Sequence, residues 1–212
     1  MPYLKRIFHS IFGKNYESVW RKFANENNGS YVVGIGHHYD SVEIAYSNHQ
    51  IIFDQYTLYQ VVGHSSYTRD YTRVRLEFRS PDNLQFRLTK QYLVDVIGKV
   101  FGAQDIQIGD KSFDWRFLVK GNDEFKVQTL FSNELVKRLI LAHDDIHLQL
   151  MDQEGVFDEP IQEGCSMLYY LSETVVKNID QLYALLELYK AVIDQLTKLG
   201  SVKPMMTQNQ SG

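Results

Sequence analysis

The sequence predicts an α+β fold: an antiparallel, meander-rich sheet packed by several helices, with a long C-terminal helix. Apolar and polar residues alternate with a period of two through much of residues 31–89, which is typical of strands that bury one face. Helical periodicity flanks that region and is clearest over residues 178–200, where apolar residues recur every three or four positions. Residues 1–200 are therefore predicted to form a single α+β domain, with a possible subdivision near residue 102, and residues 201–212 a flexible tail.

The N-terminal half is predicted to contain two short amphipathic helices followed by five strands. Leu4, Ile7, Phe8 and Ile11 have helical spacing, and Trp20 lies in a second helical run after Gly13. Asn27-Asn28-Gly29-Ser30 then breaks the helical pattern. The strands are predicted over residues 31–35, 41–46, 50–62, 70–79 and 84–89. Pro and Asn in Ser80-Pro81-Asp82-Asn83 suit a turn, so the last two strands are predicted to form a hairpin.

The C-terminal half alternates between the two kinds of structure. A helix is predicted over residues 91–101 and a longer helical stretch from Asp123 to about His143, broken at Ser132-Asn133. Asn178 and Gln181 have the spacing of a capping box, which predicts the start of the long last helix, and Gly200 its end. Further strands are predicted over residues 105–108, 113–120, 146–150 and 167–171.

Composition excludes several functional classes. The net charge is −4 and the isoelectric point about 6.0, so the field of the whole molecule attracts neither DNA nor an anionic membrane. Cys165 is the only cysteine, which rules out an intrachain disulfide and favours the cytoplasm. No run of about 18 apolar residues is present, so no transmembrane segment is expected.

Sequence motifs for common chemistries are absent, and no cofactor is expected. Gly34-Ile35-Gly36 follows a predicted strand, but Tyr39 stands where a dinucleotide fingerprint requires its third glycine. The chain has no phosphate-loop, esterase-elbow or zinc-protease motif. Acidic Glu163 lies beside Cys165, which argues against a reactive thiolate.

Two histidine clusters are candidate metal ligands. His143 and His147 are four residues apart, a spacing that lets two imidazoles share a metal on a helix. Because Ile146, Leu148 and Leu150 alternate, a strand with His143 and His147 on one solvated face is the favoured interpretation. The other cluster is His37-His38 with Asp40 in a predicted loop.

The predicted hairpin over residues 72–90 is the candidate partner-binding surface. Its apolar residues alternate with cationic ones, so one face is expected in the core and the other to be basic. Residues 69–90 carry six Arg or Lys against three Asp or Glu, and such a face suits a polyanion or an acidic partner. A solvated antiparallel face with cross-strand Glu and Arg pairs is the favoured interpretation of the same pattern. The cationic residues proposed for binding are Arg73, Arg75, Arg79 and Arg87.

The first predicted helix is a candidate membrane contact. Leu4, Ile7, Phe8 and Ile11 are bulky, and Lys5 and Arg6 beside them suit anionic head groups. Docking of this face onto the sheet is the favoured interpretation, and peripheral membrane contact is the alternative.

The segment from Phe113 to Leu139 resembles part of a known group of proteins. It contains Phe113-Asp114-Trp115-Arg116-Phe117, the turn Gly121-Asn122-Asp123, and then Leu130 and Leu135 to Leu139. The pattern is similar to a strand-to-helix segment of bacterial domains of unknown function. The resemblance implies a bacterial domain and transfers no catalytic residue.

The sequence thus favours a non-enzymatic interaction module, because no convergent set of nucleophile, base and electrophile is visible. A protein partner is expected, bound through the basic face or an aromatic-rich groove between sheet and helices, and a polyanion is possible through the basic hairpin. Two alternatives remain open: a peripheral membrane protein, and a metal-dependent enzyme with a site built from distant His and Asp residues.

Overall fold

The computed structural model describes residues 14–34, 39–62, 65–90, 104–143, 146–152, 161–172 and 174–203. Several predictions lie outside these residues. They are the first helix with Leu4, Ile7, Phe8 and Ile11, the histidines His37 and His38, the helix over residues 91–101, and most of the C-terminal tail.

The described residues form an α+β fold with a nine-stranded antiparallel sheet, which confirms the predicted fold class. The strand order is β1-β2-β3-β4-β9-β8-β5-β7-β6, so the first four strands form a meander. The helices are α1 (Lys14–Glu26), α2 (Lys111–Arg116), α3 (Glu124–Ser132), α4 (Glu134–Leu141) and α5 (Ile179–Lys198). The strands are β1 (Ser30–Val32), β2 (Ser41–Tyr46), β3 (His49–Val62), β4 (Ser65–Arg79), β5 (Phe86–Lys90), β6 (Gln104–Asp105), β7 (Phe117–Gly121), β8 (His147–Met151) and β9 (Cys165–Ser172).

One face of this sheet forms the main hydrophobic core with the helices. Val74, Leu76 and Phe78 alternate along β4 and are fully buried on this face, as their period of two predicts. Helix α5 packs here, where the hydroxyl of its buried Tyr189 donates a hydrogen bond to the backbone oxygen of Val74 at 2.6 Å. Side chains at the intervening positions of the strands therefore point to a second face.

Helix α1 packs on the same core near the first strands of the sheet. Trp20 is fully buried, and its indole nitrogen donates a hydrogen bond to the backbone oxygen of Val176 at 2.9 Å. Phe23 makes edge-to-face contacts with Phe53 of β3 and Tyr183 of α5, at ring-centroid distances of 5.1 and 5.4 Å. These contacts join α1 to both layers of the fold.

The prediction of a strand over residues 113–120 is wrong in its first half. Helix α2 occupies Lys111–Arg116, and the strand begins only at Phe117. The side chain of Asp110 accepts hydrogen bonds from the backbone N–H groups of Ser112 and Phe113, which caps the helix. Phe113 of this helix and Phe117 of the following strand are both buried, with their ring centroids 5.0 Å apart.

The hairpin predicted over residues 72–90 does not form. Strand β4 pairs with β9, and β5 pairs with β8 and β7, so two C-terminal strands separate them. Both predicted strands exist, but the turn at Pro81 carries the chain across the sheet instead of folding it back on itself. Strands from before and after residue 102 thus lie side by side in the same sheet.

Candidate ligand-binding face

The second face of the sheet carries the buried ion pair of Asp54 and Arg73 and the buried polar residues Thr89, His147 and Gln149, and it is the candidate functional site. Registers across β3, β4, β9, β8 and β5 arrange its side chains in two central rows. The first row contains Asp54, Arg73, Leu171, His147 and Thr89, and the second contains Ile52, Arg75, Tyr169, Gln149 and Arg87. Neighbouring members of a row are about 5 Å apart at their backbones, so each row brings together residues far apart in sequence.

A buried ion cluster lies at one side of this face. Asp54 of β3 accepts hydrogen bonds from Nε and Nη2 of Arg73 at 2.7 and 2.8 Å, an aligned two-point contact. Arg75 adds a third contact at 2.6 Å to the same carboxylate. The side chains of Asp54 and Arg73 are only 6% exposed, whereas that of Arg75 is 20% exposed. One carboxylate thus holds two guanidinium groups, and the cluster of three residues keeps a net positive charge.

A hydrophobic spine along β9 separates this cluster from the rest of the face. Met167, Tyr169 and Leu171 of β9 form this spine. They are buried, together with Met151 of β8 and Tyr71 of β4. Tyr56 and Ile161 pack against the same cluster. The spine therefore gives the second face a small hydrophobic core of its own, with polar groups on both sides.

The other side of the spine holds a buried polar pair next to a cation. His147 and Gln149 of β8 are 6% and 8% exposed, and Arg87 of β5 lies directly opposite Gln149. Burial and then the charge of Arg87 lower the pKa of His147, which comes to about 4 although the amide of Gln149 acts in the opposite sense. The imidazole is therefore neutral at pH 7, between a guanidinium and an amide.

The four predicted cationic residues lie on the second face but in different surroundings. Arg73 is buried and Arg79 is exposed, while Arg75 and Arg87 are partly buried. The solvated face favoured from the sequence is therefore wrong for Arg73, which is buried in an ion pair with Asp54. Arg75 and Arg87 belong to the same row with two strands between them, so they lie farther apart than in the predicted hairpin, where their strands would be direct neighbours.

The predicted histidine pair is divided between the two faces. His143 precedes β8, and its ring lies 6.4 Å from that of Tyr170, a residue of the main core. His147 points to the opposite face, and both are buried, so the predicted solvated strand face is wrong. Within the described ranges, no group of three His, Cys, Asp or Glu residues is arranged to hold a metal ion.

Ser201 and Cys165 carry a hydroxyl and a thiol that are both buried. Ser201 is fully buried, and its hydroxyl donates a hydrogen bond to Asp82 at 2.6 Å, while Lys126 forms an ion pair with the same carboxylate. Burial alone would raise the pKa of Asp82, but these hydrogen bonds and one from the backbone of Leu84 lower it, so the carboxylate stays ionised. Burial and Glu77 raise the pKa of Cys165, which keeps the thiol protonated.

Sequence reasoning missed Asp54, Tyr169 and Gln149, which complete the second face. A signal was present for Gln149, because His147 and Gln149 alternate with Leu148 and Leu150 along one strand. Their neighbours across the sheet come from residues 52–89 and 165–171, and the pairing of these distant strands decides the arrangement.

Comparisons with known proteins give one structural relative. No protein-family model matches the chain, and no curated protein is similar to it. The crystal structure of the mycobacterial trehalose monomycolate transport factor A has a similar fold, with a TM-score of 0.52 and 10% sequence identity. The match covers 92% of this chain and 99% of that protein's chain. This likeness is one of fold. In the part of the chain that the structure describes, no helix has the length and apolar character needed to span a membrane.

Proposed function

We propose that this chain is a non-enzymatic binding module that takes an anionic partner on the second face of its sheet. The observation that carries the proposal is the row in which Arg75 and Arg87 flank Tyr169 and Gln149. Both arginines are partly exposed, so an anion on the surface has access to them. The chain as a whole carries a charge of −4, and binding of an anion therefore depends on this local group of cations.

The charges of the central rows support an anionic partner. Among the described residues of these rows, three guanidinium groups stand against the single carboxylate of Asp54. Arg79 adds a further exposed cation at the end of β4. Planar guanidinium groups bind phosphate and carboxylate oxygens through paired hydrogen bonds, so they suit such a ligand better than lysine does. The proposal places the protein in the cytoplasm, consistent with a single, buried cysteine.

A transport-related role for an anionic lipid is the second candidate. Its motivation is the likeness in fold to a protein described as a trehalose monomycolate transport factor. The hydrophobic spine of Met167, Tyr169 and Leu171 beside the cationic row is compatible with a ligand that has both polar and apolar parts.

Retention on immobilised heparin tests the anionic partner. Wild-type protein is expected to be retained at low salt, and Arg87→Gln is expected to elute earlier because it has lost a cationic contact. Each lost contact of this kind lowers the slope of log affinity against log salt concentration by about one. Arg138→Gln is the matched control, since this exposed arginine lies on α4, away from the second face. Arg79→Gln provides a second variant at an exposed position on the proposed face.

The heparin experiment has two outcomes that overturn the proposal. The first is a wild-type protein that passes through without retention at low salt. The second is equal elution of Arg87→Gln, Arg79→Gln and Arg138→Gln, which would assign retention to total charge alone. Circular dichroism of each variant shows that it is folded before its elution is interpreted.

A further inference from the structure

His147 and Gln149 carry polar atoms that are buried without a hydrogen-bond partner. Both side chains are more than nine-tenths buried. In the part of the chain that the structure describes, these unpartnered atoms include Nδ1 and Nε2 of His147 and Oε1 of Gln149. Buried polar atoms in proteins are almost always hydrogen-bonded, to protein, to water or to a ligand. A water molecule or a ligand is therefore expected to complete this pair.

The donor and acceptor capacities of the unpartnered atoms determine the chemistry of the missing group. A neutral imidazole offers one N–H donor and one nitrogen acceptor, and Oε1 of Gln149 only accepts. The missing group must therefore both donate and accept hydrogen bonds, as a hydroxyl does. Arg87, opposite Gln149 on the neighbouring strand, adds a positive charge that favours an anionic oxygen.

The spacing of these residues sets the size of the ligand. His147 and Gln149 are two positions apart on one strand, about 7 Å between their backbones, and β5 lies about 5 Å to the side. Arg87 opposes Gln149, and Thr89 opposes His147. These four residues, here called the cradle, therefore span about 7 by 5 Å at their backbones, which is comparable to the width of a phosphate group with one or two hydroxyl-bearing carbons.

We propose that the cradle of Arg87, Thr89, His147 and Gln149 binds the head group of a hydroxylated phosphate ester. This inference rests on the proposed function, because it names the chemical class of its anionic partner. The phosphate lies on Arg87, and a hydroxyl of the ester lies between His147 and Gln149. Glycerol phosphate is the simplest such group, and it occurs both free in solution and as a lipid head group.

Calorimetric titration with matched phosphate esters tests whether the cradle binds a soluble ester. The probes are glycerol 3-phosphate and propyl phosphate, which have the same carbon chain and differ by the two hydroxyls. The wild-type protein is expected to bind glycerol 3-phosphate at least about tenfold more tightly, because an ester without hydroxyls leaves the buried pair unsatisfied. Gln149→Leu removes the acceptor and is expected to abolish the preference while propyl phosphate still binds. Gln50→Leu, at an exposed position of β3, is the matched control.

Vesicle sedimentation tests whether the ligand is a lipid, again by comparing head groups with and without hydroxyls. Phosphatidylglycerol and phosphatidylmethanol carry equal charge, but only the first has hydroxyls. Preference for phosphatidylglycerol vesicles with no binding of glycerol 3-phosphate identifies a lipid ligand, and the reverse identifies a soluble one. Both results support the cradle, provided that Gln149→Leu removes the preference.

The outcomes separate this inference from the proposed function. Equal binding of both esters and both vesicles, unchanged by Gln149→Leu or His147→Phe, overturns the cradle, and water then fills it. Retention on heparin that depends on Arg87 still supports the proposed function in that case. Failure of every probe, together with heparin retention that is insensitive to Arg87, overturns both.

Discussion

Replacement of Asp54 by asparagine is expected to destabilise the protein strongly. The variant keeps the size of the side chain but removes the charge that Arg73 and Arg75 contact at 2.6 to 2.8 Å. Because Asp54 and Arg73 are 94% buried at their side chains, water does not replace the lost interaction. Removing one partner of a buried ion pair costs about 3–5 kcal/mol of unfolding free energy, since it leaves a buried charge uncompensated.

A loss of this size is large enough to measure by thermal and urea unfolding. For a chain of about 200 residues it corresponds to a fall in melting temperature of about 6 to 20 °C. Fluorescence reports the transition, because Trp20 is fully buried in the main core. Asp105→Asn is the matched control, since Asp105 forms an ion pair with Lys120 but is 68% exposed. That variant is expected to lose less than about 1 kcal/mol.

Equal stability of the two variants would refute this reasoning. It would mean that the contacts of Asp54 with Arg73 and Arg75 contribute no more than an exposed pair does. A cost for Asp54→Asn near 4 kcal/mol beside a small cost for Asp105→Asn would instead establish the cluster as a main stabilising element of the second face.

Two further predictions concern His147 and the junction between α3 and α4. Because burial holds the folded-state pKa of His147 at about 4 against 6.5 for the free side chain, the unfolded chain binds more protons between these values. The free energy of unfolding is therefore expected to fall as pH drops from about 6.5 towards 4. In urea titrations, His147→Phe should flatten that part of the plot of unfolding free energy against pH. An unchanged slope in the variant would show that His147 does not cause the pH dependence. Asn133 ends α3, and its side chain accepts hydrogen bonds from the backbone N–H groups of Leu135 and Val136 at the start of α4. Asn133→Ala should cost about 1 kcal/mol, while Asn133→Asp, which keeps the acceptor, should cost much less in the same measurement.

The local parts of the fold were predictable because their signals are local. Asn178 caps α5 at the expected place, and Ser132-Asn133 divides α3 from α4 as predicted. Alternation along β4 and β5 also identified the core side of both strands, since period two fixes which side chains share a face. The cationic residues on the second face were found in the same way.

The partners of those residues were not predictable, because they depend on which strands become neighbours. The turn at Pro81 gives a good hairpin signal, yet β9 and β8 insert between β4 and β5. Insertion of these strands places Tyr169 and Gln149 between Arg75 and Arg87 and gives the face its polar pair. The sequence by itself determined the elements and the faces of the strands, since both follow from periodicity and turn chemistry. Only the tertiary structure decided the composition of the candidate site, because strand order depends on long-range packing of the whole sheet.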